Sequence, residues 1–211
     1  MSRIDAALGV LDRLRYPFDL SFRHTGEGLA VAVRPAAREP ERSFESRIWL
    51  IGMDGSAHQI THGPGSDASP RFAPADGRLA FASDRAMPGR MSLYILEQKG
   101  EPQPLGDVPG SLEDAQWSAD GATVFVLAAD RGLDVAATDG AVRLWWGDPP
   151  DPEVSRPGEA RRRLYRVRAV DGATLEVGPE AFSVWQFELV GDDRAVALVS
   201  ADPSERGWYR A

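Results

Sequence analysis

The sequence predicts an all-β protein made of β-propeller blades, and a recurring phrase is the main reason. Residues 69–85 read SPRFAPADGRLAFASDR, and residues 115–127 read AQWSADGATVFVL. In each copy an aromatic residue ends one strand, an Asp-Gly turn follows, and an alternating apolar strand leaves the turn. Weaker copies begin at Phe22 and Phe187. A repeat of this length with several short strands is typical of propeller blades.

Two landmarks recur at matching intervals, which strengthens this prediction. The strand-end aromatic residues of the last three copies are separated by 45 and 70 residues; they are Phe72, Trp117 and Phe187. The second landmark is an aromatic residue that stands beside an aliphatic one, ahead of a glycine turn. Its successive aromatic residues are 45 and 71 residues apart; they are Trp49, Tyr94 and Tyr165. The third unit is therefore longer than the second by about 25 residues.

The sequence predicts two parts, a helical N-terminal segment in residues 1–17 and a partial propeller in residues 18–211. The propeller units are expected at about 19–64, 65–109, 110–180 and 181–211. That is about three units and a fraction, whereas propellers typically have about four to eight blades. An incomplete ring exposes a strand edge, so we expect this chain to be the front part of a longer one.

The helix is predicted because Ile4, Leu8, Leu11 and Leu14 fall near one face of a helix over residues 3–15. Tyr16-Pro17 is expected to end it. A helix this short is marginal alone, so it should pack either on its own propeller or on a second domain.

Asp-Gly pairs favour type I′ hairpin turns, as at Asp54-Gly55. Two insertions, at residues 34–47 and 134–163, are expected to be loops. The longer one carries aromatic and arginine side chains that are common in binding hot spots: Trp145, Trp146, Arg161, Arg162 and Arg163. These side chains suit an interaction loop, but we expect first a loop folded over its own blade, with the interaction loop as the alternative.

Composition excludes several classes of protein. The 211 residues include no cysteine, which excludes disulfides and thiolate metal sites and suits a reducing compartment. The net charge of −8 argues against a nucleic-acid partner. No stretch approaches the roughly 20 apolar residues that a membrane span needs. The N-terminus does not resemble a signal peptide, so we expect a cytoplasmic location.

The wording of the repeat resembles the N-terminal propeller of the prolyl oligopeptidase family of serine peptidases, in its acylaminoacyl-peptidase and dipeptidyl-aminopeptidase branch. The resemblance covers residues 18–200 and is strongest over 45–131, where RIWL at 47–50 and QIT at 59–61 accompany the phrase at 69–85. That phrase is similar to the family's sPrWSPDGrrlaFlSdR, with phenylalanine in place of tryptophan and one extra alanine. TolB-like propellers share the wording.

The resemblance implies a propeller that limits the access of bulky substrates to an α/β-hydrolase domain, which supplies the catalytic triad. This chain departs from the family there, because its sequence contains no Gly-x-Ser-x-Gly nucleophile elbow. We therefore predict no catalytic, cofactor or metal residues. Its histidines, His24, His58 and His62, are expected to be surface residues. On one strand, His58 and His62 would lie about 13 Å apart, too far to share an ion.

Two functions follow from the sequence. The first is the substrate-gating and docking portion of a prolyl-oligopeptidase-like serine peptidase, whose partner is a hydrolase domain of the same longer chain. The alternative is a TolB-like interaction module that binds a protein, a peptide or a second copy of itself. Asp84-Arg85 and Asp130-Arg131, which close equivalent strands, are predicted to be structural clamps.

Overall fold

The computed structural model describes residues 15–35, 45–98, 100–130, 133, 160–191, 194–203 and 205–211. These residues form an all-β fold of antiparallel sheets, and their single helix is the one-turn α1, Glu205–Trp208. The predicted N-terminal helix is not supported. Residues 1–14 lie outside the described residues, and Arg15, Tyr16 and Pro17 belong to a strand. Extended backbone is what a residue preceding proline prefers.

Within the described ranges, fourteen strands form four sheets. Sheet 1 contains β1 (Arg15–Phe22), β2 (Gly28–Pro35), β3 (Arg47–Gly52) and β4 (Ala57–Gln59). Sheet 2 contains β5 (Asp67–Phe72), β6 (Leu79–Ser83), β7 (Ser92–Leu96) and β8 (Gln103–Pro104). Sheet 3 contains β9 (Ser111–Trp117), β10 (Thr123–Ala129), β11 (Arg162–Arg168) and β12 (Thr174–Glu176). Sheet 4 contains β13 (Ser183–Val190) and β14 (Arg194–Ser200).

Each sheet is an antiparallel meander whose strands pair in chain order. This is the strand order of a propeller blade, so the predicted fold class is correct in its coarse form. The ends of β2 and β10 from which the two insertions leave lie at the same rim of the sheets, because every meander starts in the same direction. The Asp-Gly turns lie at the opposite rim.

The hydrophobic core lies between successive sheets. Sheets 1 and 2 meet at a cluster of large buried side chains: Ile48, Leu79, Phe81 and Tyr94. Sheets 2 and 3 share a larger cluster: Leu93, Ile95, Leu112, Trp117, Val124, Val126, Tyr165 and Val167. Sheets 3 and 4 meet at Leu127, Leu164, Val184 and Phe187. Sheet 2 has neighbours on both faces, which is why every residue of β6 is buried and why its sequence shows no polar alternation.

The strand-end aromatic residues face the preceding sheet. Phe72 packs in the cluster with sheet 1, and Trp117 packs in the cluster with sheet 2. Phe22 pairs with Leu29 on the face of sheet 1 that points away from sheet 2, and it is 65% exposed, against 8% for Trp117. No described sheet covers that face. The fourth predicted anchor, Phe187, was misplaced, because it lies inside β13 rather than at its end.

The Asp-Gly turns differ from the predicted type. In the turn after β3, Gly55 has a φ of 81°, whereas Asp54 is not among the described residues with positive φ. A type I′ turn needs positive φ at both central residues. The backbone N–H of Gly55 instead donates to Gly52, and that of Gly52 donates to Ser56. This pattern is a type I turn followed by a glycine bulge.

The aspartate of each turn has a specific role, because its carboxylate accepts the backbone N–H two residues further on. The four pairs have distances of 2.9, 3.1, 2.9 and 3.1 Å: Asp54–Ser56, Asp76–Arg78, Asp120–Ala122 and Asp171–Ala173. This local bond favours a turn over continued strand. It explains why the dipeptide recurs in every four-stranded sheet.

These turns should make the protein sensitive to acid. Hydrogen bonds from the Ser118 hydroxyl and the Ala122 N–H lower the pKa of Asp120, and Arg168 followed by Ala173 lowers the pKa of Asp171. Carboxylates with a lower pKa in the folded state stabilise the protein above their unfolded-state pKa, and this contribution is lost as pH falls through the folded-state pKa. The melting temperature should therefore fall below about pH 4.

The matched variant for this prediction is Asp120→Asn, whose amide oxygen still accepts the Ala122 N–H but does not titrate. Thermal unfolding followed by circular dichroism between pH 7 and pH 2.5 should show a shallower acid dependence for this variant than for the wild type. Parallel acid curves for the two proteins would show that Asp120 contributes nothing to the acid sensitivity.

Candidate functional site

The first strand of each sheet contains a β-bulge, and these strands approach one another across the sheets. The bulged residues are Asp19 in β1, Ser69 and Pro70 in β5, Glu113 in β9 and Trp185 in β13. Bulges change the direction in which neighbouring side chains point and are common next to functional sites. The alternation of apolar residues in these strands gives no sign of the bulges.

Three charged side chains link the first strands of sheets 1, 2 and 3. The Arg71 guanidinium donates to Asp19 at 3.1 Å and to Asp114 at 2.9 Å. Each of these side chains is between 27% and 32% exposed, so the group is accessible to solvent. We call these residues, Asp19, Arg71 and Asp114, the inner-strand charge ladder. It places two carboxylates and one guanidinium at one surface of the chain.

The ladder fixes the charge state of its arginine. Burial disfavours the guanidinium cation, but the carboxylates of Asp19 and Asp114 outweigh this effect and raise the pKa of Arg71 above its usual value. Arg71 is therefore a fixed positive charge near neutral pH and not a group that transfers a proton there.

Further hydrogen bonds hold the ladder in place. Asp19 and Ser69, with φ values of 55° and 49°, are the described non-glycine residues with positive φ. The Ser69 hydroxyl donates to Asp19 at 2.7 Å. The indole N–H of Trp117 donates to the carbonyl oxygen of Arg71 at 2.9 Å. Unfavourable backbone conformations persist only where the surroundings determine them, and they cluster at functional sites.

Replacing Arg71 with methionine should lower the free energy of unfolding by about 1–3 kcal/mol, because two partly exposed carboxylates would lose their shared cation. Arg71→Lys is the control, since it keeps the charge but cannot hold both carboxylates in the same geometry, and it should lose less. Urea unfolding followed by tryptophan fluorescence measures both. Equal losses for the two variants would show that the ladder depends on packing rather than on charge.

The arginines of the predicted interaction loop have partners inside the fold. Arg162 and Arg163 lie in β11 and Arg161 directly precedes it. The guanidinium of Arg161 donates to the carbonyl oxygen of Glu180, and that of Arg163 pairs with Asp130. These partners belong to the described residues of sheet 3 and its connections. Trp145 and Trp146 lie outside the described residues.

Arg162 is the most buried of these arginines. Its Nε donates to Glu113 at 2.8 Å, with only 11% and 12% of the two side chains exposed. Its guanidinium also lies 4.5 Å from the centre of the Trp185 ring. Arg162 therefore joins sheets 3 and 4, which is a structural contact. The predicted role of this segment in binding stays a prediction.

The aspartates of the predicted clamps bind backbone groups of other segments, whereas Arg131 lies outside the described residues. Asp84 accepts the backbone N–H of Gly89 at 2.8 Å, and Asp130 accepts that of Arg161 at 2.9 Å. Arg85 pairs with the buried Asp67 at 2.8 Å instead of with its neighbour Asp84. Each aspartate thus holds the backbone of the connection that leads from its strand to the next one, in agreement with a structural role.

The histidines do not form a site with one another. His24 lies in the turn after β1, and His58 and His62 are exposed. Within the described ranges, no group of three or more histidine or acidic side chains is arranged to hold a metal ion. No helix among those residues is long and apolar enough to cross a bilayer.

Comparisons with known proteins place these features in context. No protein-family model matches the sequence. Over 101 residues, 47% of this chain, it is 30% identical to a Bacillus subtilis (strain 168) protein described as an uncharacterized peptidase, YuxL, and the match covers 15% of that protein. The likeness is therefore local.

Solved structures show the same fold. The chain is similar to the acylaminoacyl peptidase of Pyrococcus horikoshii, with a TM-score of 0.54 and 14% identity, over 84% of this chain and 27% of that one. It is also similar to a putative TolB from Agrobacterium tumefaciens, with a TM-score of 0.50 and 17% identity, over 78% of this chain and 49% of that one. The chain thus spans less than half the length of each of these proteins. At such low identity, these likenesses show the propeller fold alone.

Proposed function

We propose that this chain is the propeller portion of a prolyl-oligopeptidase-like serine peptidase, where it limits access to, and docks on, an α/β-hydrolase domain of the same longer polypeptide. Two observations together carry the proposal. The sheets have the strand order of propeller blades, and part of the sequence is similar to a protein described as a peptidase. The sequence contains no nucleophile elbow, so in this proposal the chemistry belongs to the other domain.

The outer faces of sheets 1 and 4, which no described sheet covers, support a larger ring. Phe22, on the outer face of sheet 1, is 65% exposed, and Val196, on the outer face of sheet 4, is 67% exposed. In the part of the chain that the structure describes, sheet 4 has two strands and each of the other sheets has four. Propeller blades are stabilised by burying both faces against their neighbours. Further blades packed on these end faces would bury both side chains.

The inner-strand charge ladder supports a role in gating. In a closed propeller the first strands of the blades surround the central channel. Asp19, Arg71 and Asp114 would then line the channel and present fixed charges to a peptide entering it. A rigid polar lining filters substrates by size and charge without taking part in bond cleavage.

Docking would involve the rim from which the two insertions leave. Because Arg161, Arg162 and Arg163 already have partners inside the fold, we propose that Trp145 and Trp146 carry the contact with the hydrolase domain or another protein. Aromatic residues are enriched at such interfaces. The cytoplasmic location remains part of this proposal, since a chain without cysteine suits a reducing compartment.

The second candidate function is a TolB-like interaction module without catalysis, which the likeness to a putative TolB favours. The two proposals make different predictions for a fluorophosphonate probe, which labels activated serines. The 211-residue chain should not be labelled under either. The complete product of its reading frame should be labelled at one serine if the peptidase proposal is correct, and labelling should be absent if the chain acts as an interaction module.

A further inference from the structure

A cavity of about 250 Å³ opens between sheets 1 and 2. Apolar side chains from both sheets line it, namely Leu50, Phe72, Leu79 and Leu96. Pockets for drug-sized ligands start at about 300 Å³, so a single amino-acid side chain with its backbone suits this volume better. Gly77, from the Asp-Gly turn after β5, also lines the cavity, and none of the three residues of the inner-strand charge ladder does.

Arg23 supplies a positive charge at this cavity that forms no direct ion pair with a described residue. It lines the cavity, and its guanidinium lies 5.0 Å from the centre of the Phe72 ring. Arg78 makes an analogous contact at 5.2 Å with Trp117, but it is also paired with Asp76 at 2.7 Å. Among the described residues, no carboxylate lies within ion-pair distance of Arg23. A guanidinium that is stacked but has no counter-ion is well prepared to bind a carboxylate.

His62 supplies a second donor. The side-chain nitrogen of Gln59 donates to the carbonyl oxygen of Thr61 at 2.9 Å, which identifies it as the amide NH₂ group. The same nitrogen lies 3.1 Å from His62 Nδ1. Since an NH₂ group donates, Nδ1 accepts, and the neutral ring carries its proton on Nε2. His62 lines the cavity, so the Nε2–H group adds a donor for an anionic ligand.

Acceptors also line the cavity. Glu97 belongs to the lining, and so does Gln98, whose NH₂ group donates to the carbonyl oxygen of Asp76 at 2.9 Å. The side-chain oxygen of Gln98 is therefore the acceptor that remains. Together with Glu97 it suits a ligand N–H group. A fatty acid offers a carboxylate and an apolar chain but no N–H donor, whereas the last residue of a peptide offers all three.

We propose that this cavity binds the carboxyl-terminal residue of a peptide whose last side chain is apolar. The apolar side chain enters the Leu50, Leu79 and Leu96 side of the cavity. Arg23 and the Nε2–H of His62 bind the terminal carboxylate, and Glu97 accepts the peptide N–H. The site is distinct from the proposed substrate channel, and its occupancy does not depend on the presence of a hydrolase domain.

Isothermal titration calorimetry with acetyl-Ala-Ala-Leu and its carboxyl-terminal amide tests this proposal on the 211-residue chain. The free acid should bind about ten-fold more tightly than the amide, because the amide lacks the charge that Arg23 recognises. Acetyl-Ala-Ala-Asp, which carries a polar side chain, should bind more weakly than the leucine peptide. N-acetyl-leucine should also bind, because the volume of the cavity suits the last residue alone.

Arg23→Gln should weaken binding of the free acid about ten-fold and abolish the difference between acid and amide. Arg78→Gln is the matched control, because it removes a stacked arginine outside the cavity, and it should leave both affinities unchanged. Melting curves establish that the variants are folded. Equal affinities for acid and amide, no heat of binding at millimolar peptide, or an unaffected Arg23→Gln variant would each overturn the proposal.

Discussion

Replacing Phe81 with alanine is expected to lower the free energy of unfolding by about 3–5 kcal/mol, the usual range for a large aromatic side chain in a core. Phe81 is fully buried in β6 and packs between sheets 1 and 2 with Ile48 and Tyr94. Its ring centre lies 5.9 Å from that of Tyr94, so the variant also loses an aromatic pair. Urea unfolding followed by tryptophan fluorescence measures the loss.

Val196→Ala is the control for this prediction. Val196 lies on the outer face of sheet 4 and is 67% exposed, so its truncation should change the free energy of unfolding by less than about 0.5 kcal/mol. If Phe81→Ala lowered the free energy of unfolding by less than about 1 kcal/mol, sheets 1 and 2 would not unfold as one unit with sheets 3 and 4.

Arg162→Met should be comparably damaging, with an expected loss of about 3–5 kcal/mol. The variant removes the buried ion-pair partner of Glu113, and breaking one side of a buried ion pair is strongly destabilising. The double variant Arg162→Met with Glu113→Leu should recover much of the loss, because removing both members of a buried ion pair is far less costly than removing one. Thermal and urea unfolding of the wild type, the two single variants and the double variant give the coupling free energy between Arg162 and Glu113.

Arg168→Met is the matched control for the Arg162 prediction. Arg168 pairs with Asp171 at the surface, with 59% and 48% of the two side chains exposed, and such pairs contribute less than about 1 kcal/mol. If Arg162→Met costs no more than Arg168→Met, the buried ion pair of sheet 3 contributes no more to stability than an exposed pair.

The features that could be predicted from the sequence are those with local causes. Alternating apolar residues and the Asp-Gly turns depend on neighbours within a few positions. The strands around Asp76-Gly77 and Asp120-Gly121 therefore lie where the repeated phrase places them. The turn type was wrong at Asp54-Gly55, because the glycine alone takes the positive φ that a bulged turn needs.

The inner-strand charge ladder could not be derived in this way, because its members come from three sheets. Asp19 and Arg71 are 52 residues apart, and Arg71 and Asp114 are 43 apart. A signal was nevertheless present. Asp19 and Asp114 each lie three residues before a strand-end aromatic residue, and a charge at the same offset in two repeats is unusual inside an apolar pattern. Comparing offsets between repeats would have identified them.

The burial of Arg162 could not be derived from the sequence either. Three consecutive arginines beside an insertion suggest an exposed loop, but the strand alternation of β11 points Arg162 towards Glu113, which leaves it buried. Burial of a charge depends on a partner elsewhere in the chain, and a single sequence does not show that partner. The sequence around the fourth sheet was also misleading, because Phe187 is buried within β13 and not at the strand end.

Reading the coding sequence downstream of the Ala211 codon would test the peptidase proposal directly. We expect an open frame that encodes further blades and then an α/β-hydrolase domain with a Gly-x-Ser-x-Gly nucleophile elbow. A stop codon directly after Ala211, or a continuation without that elbow, would contradict the peptidase proposal and favour the interaction module.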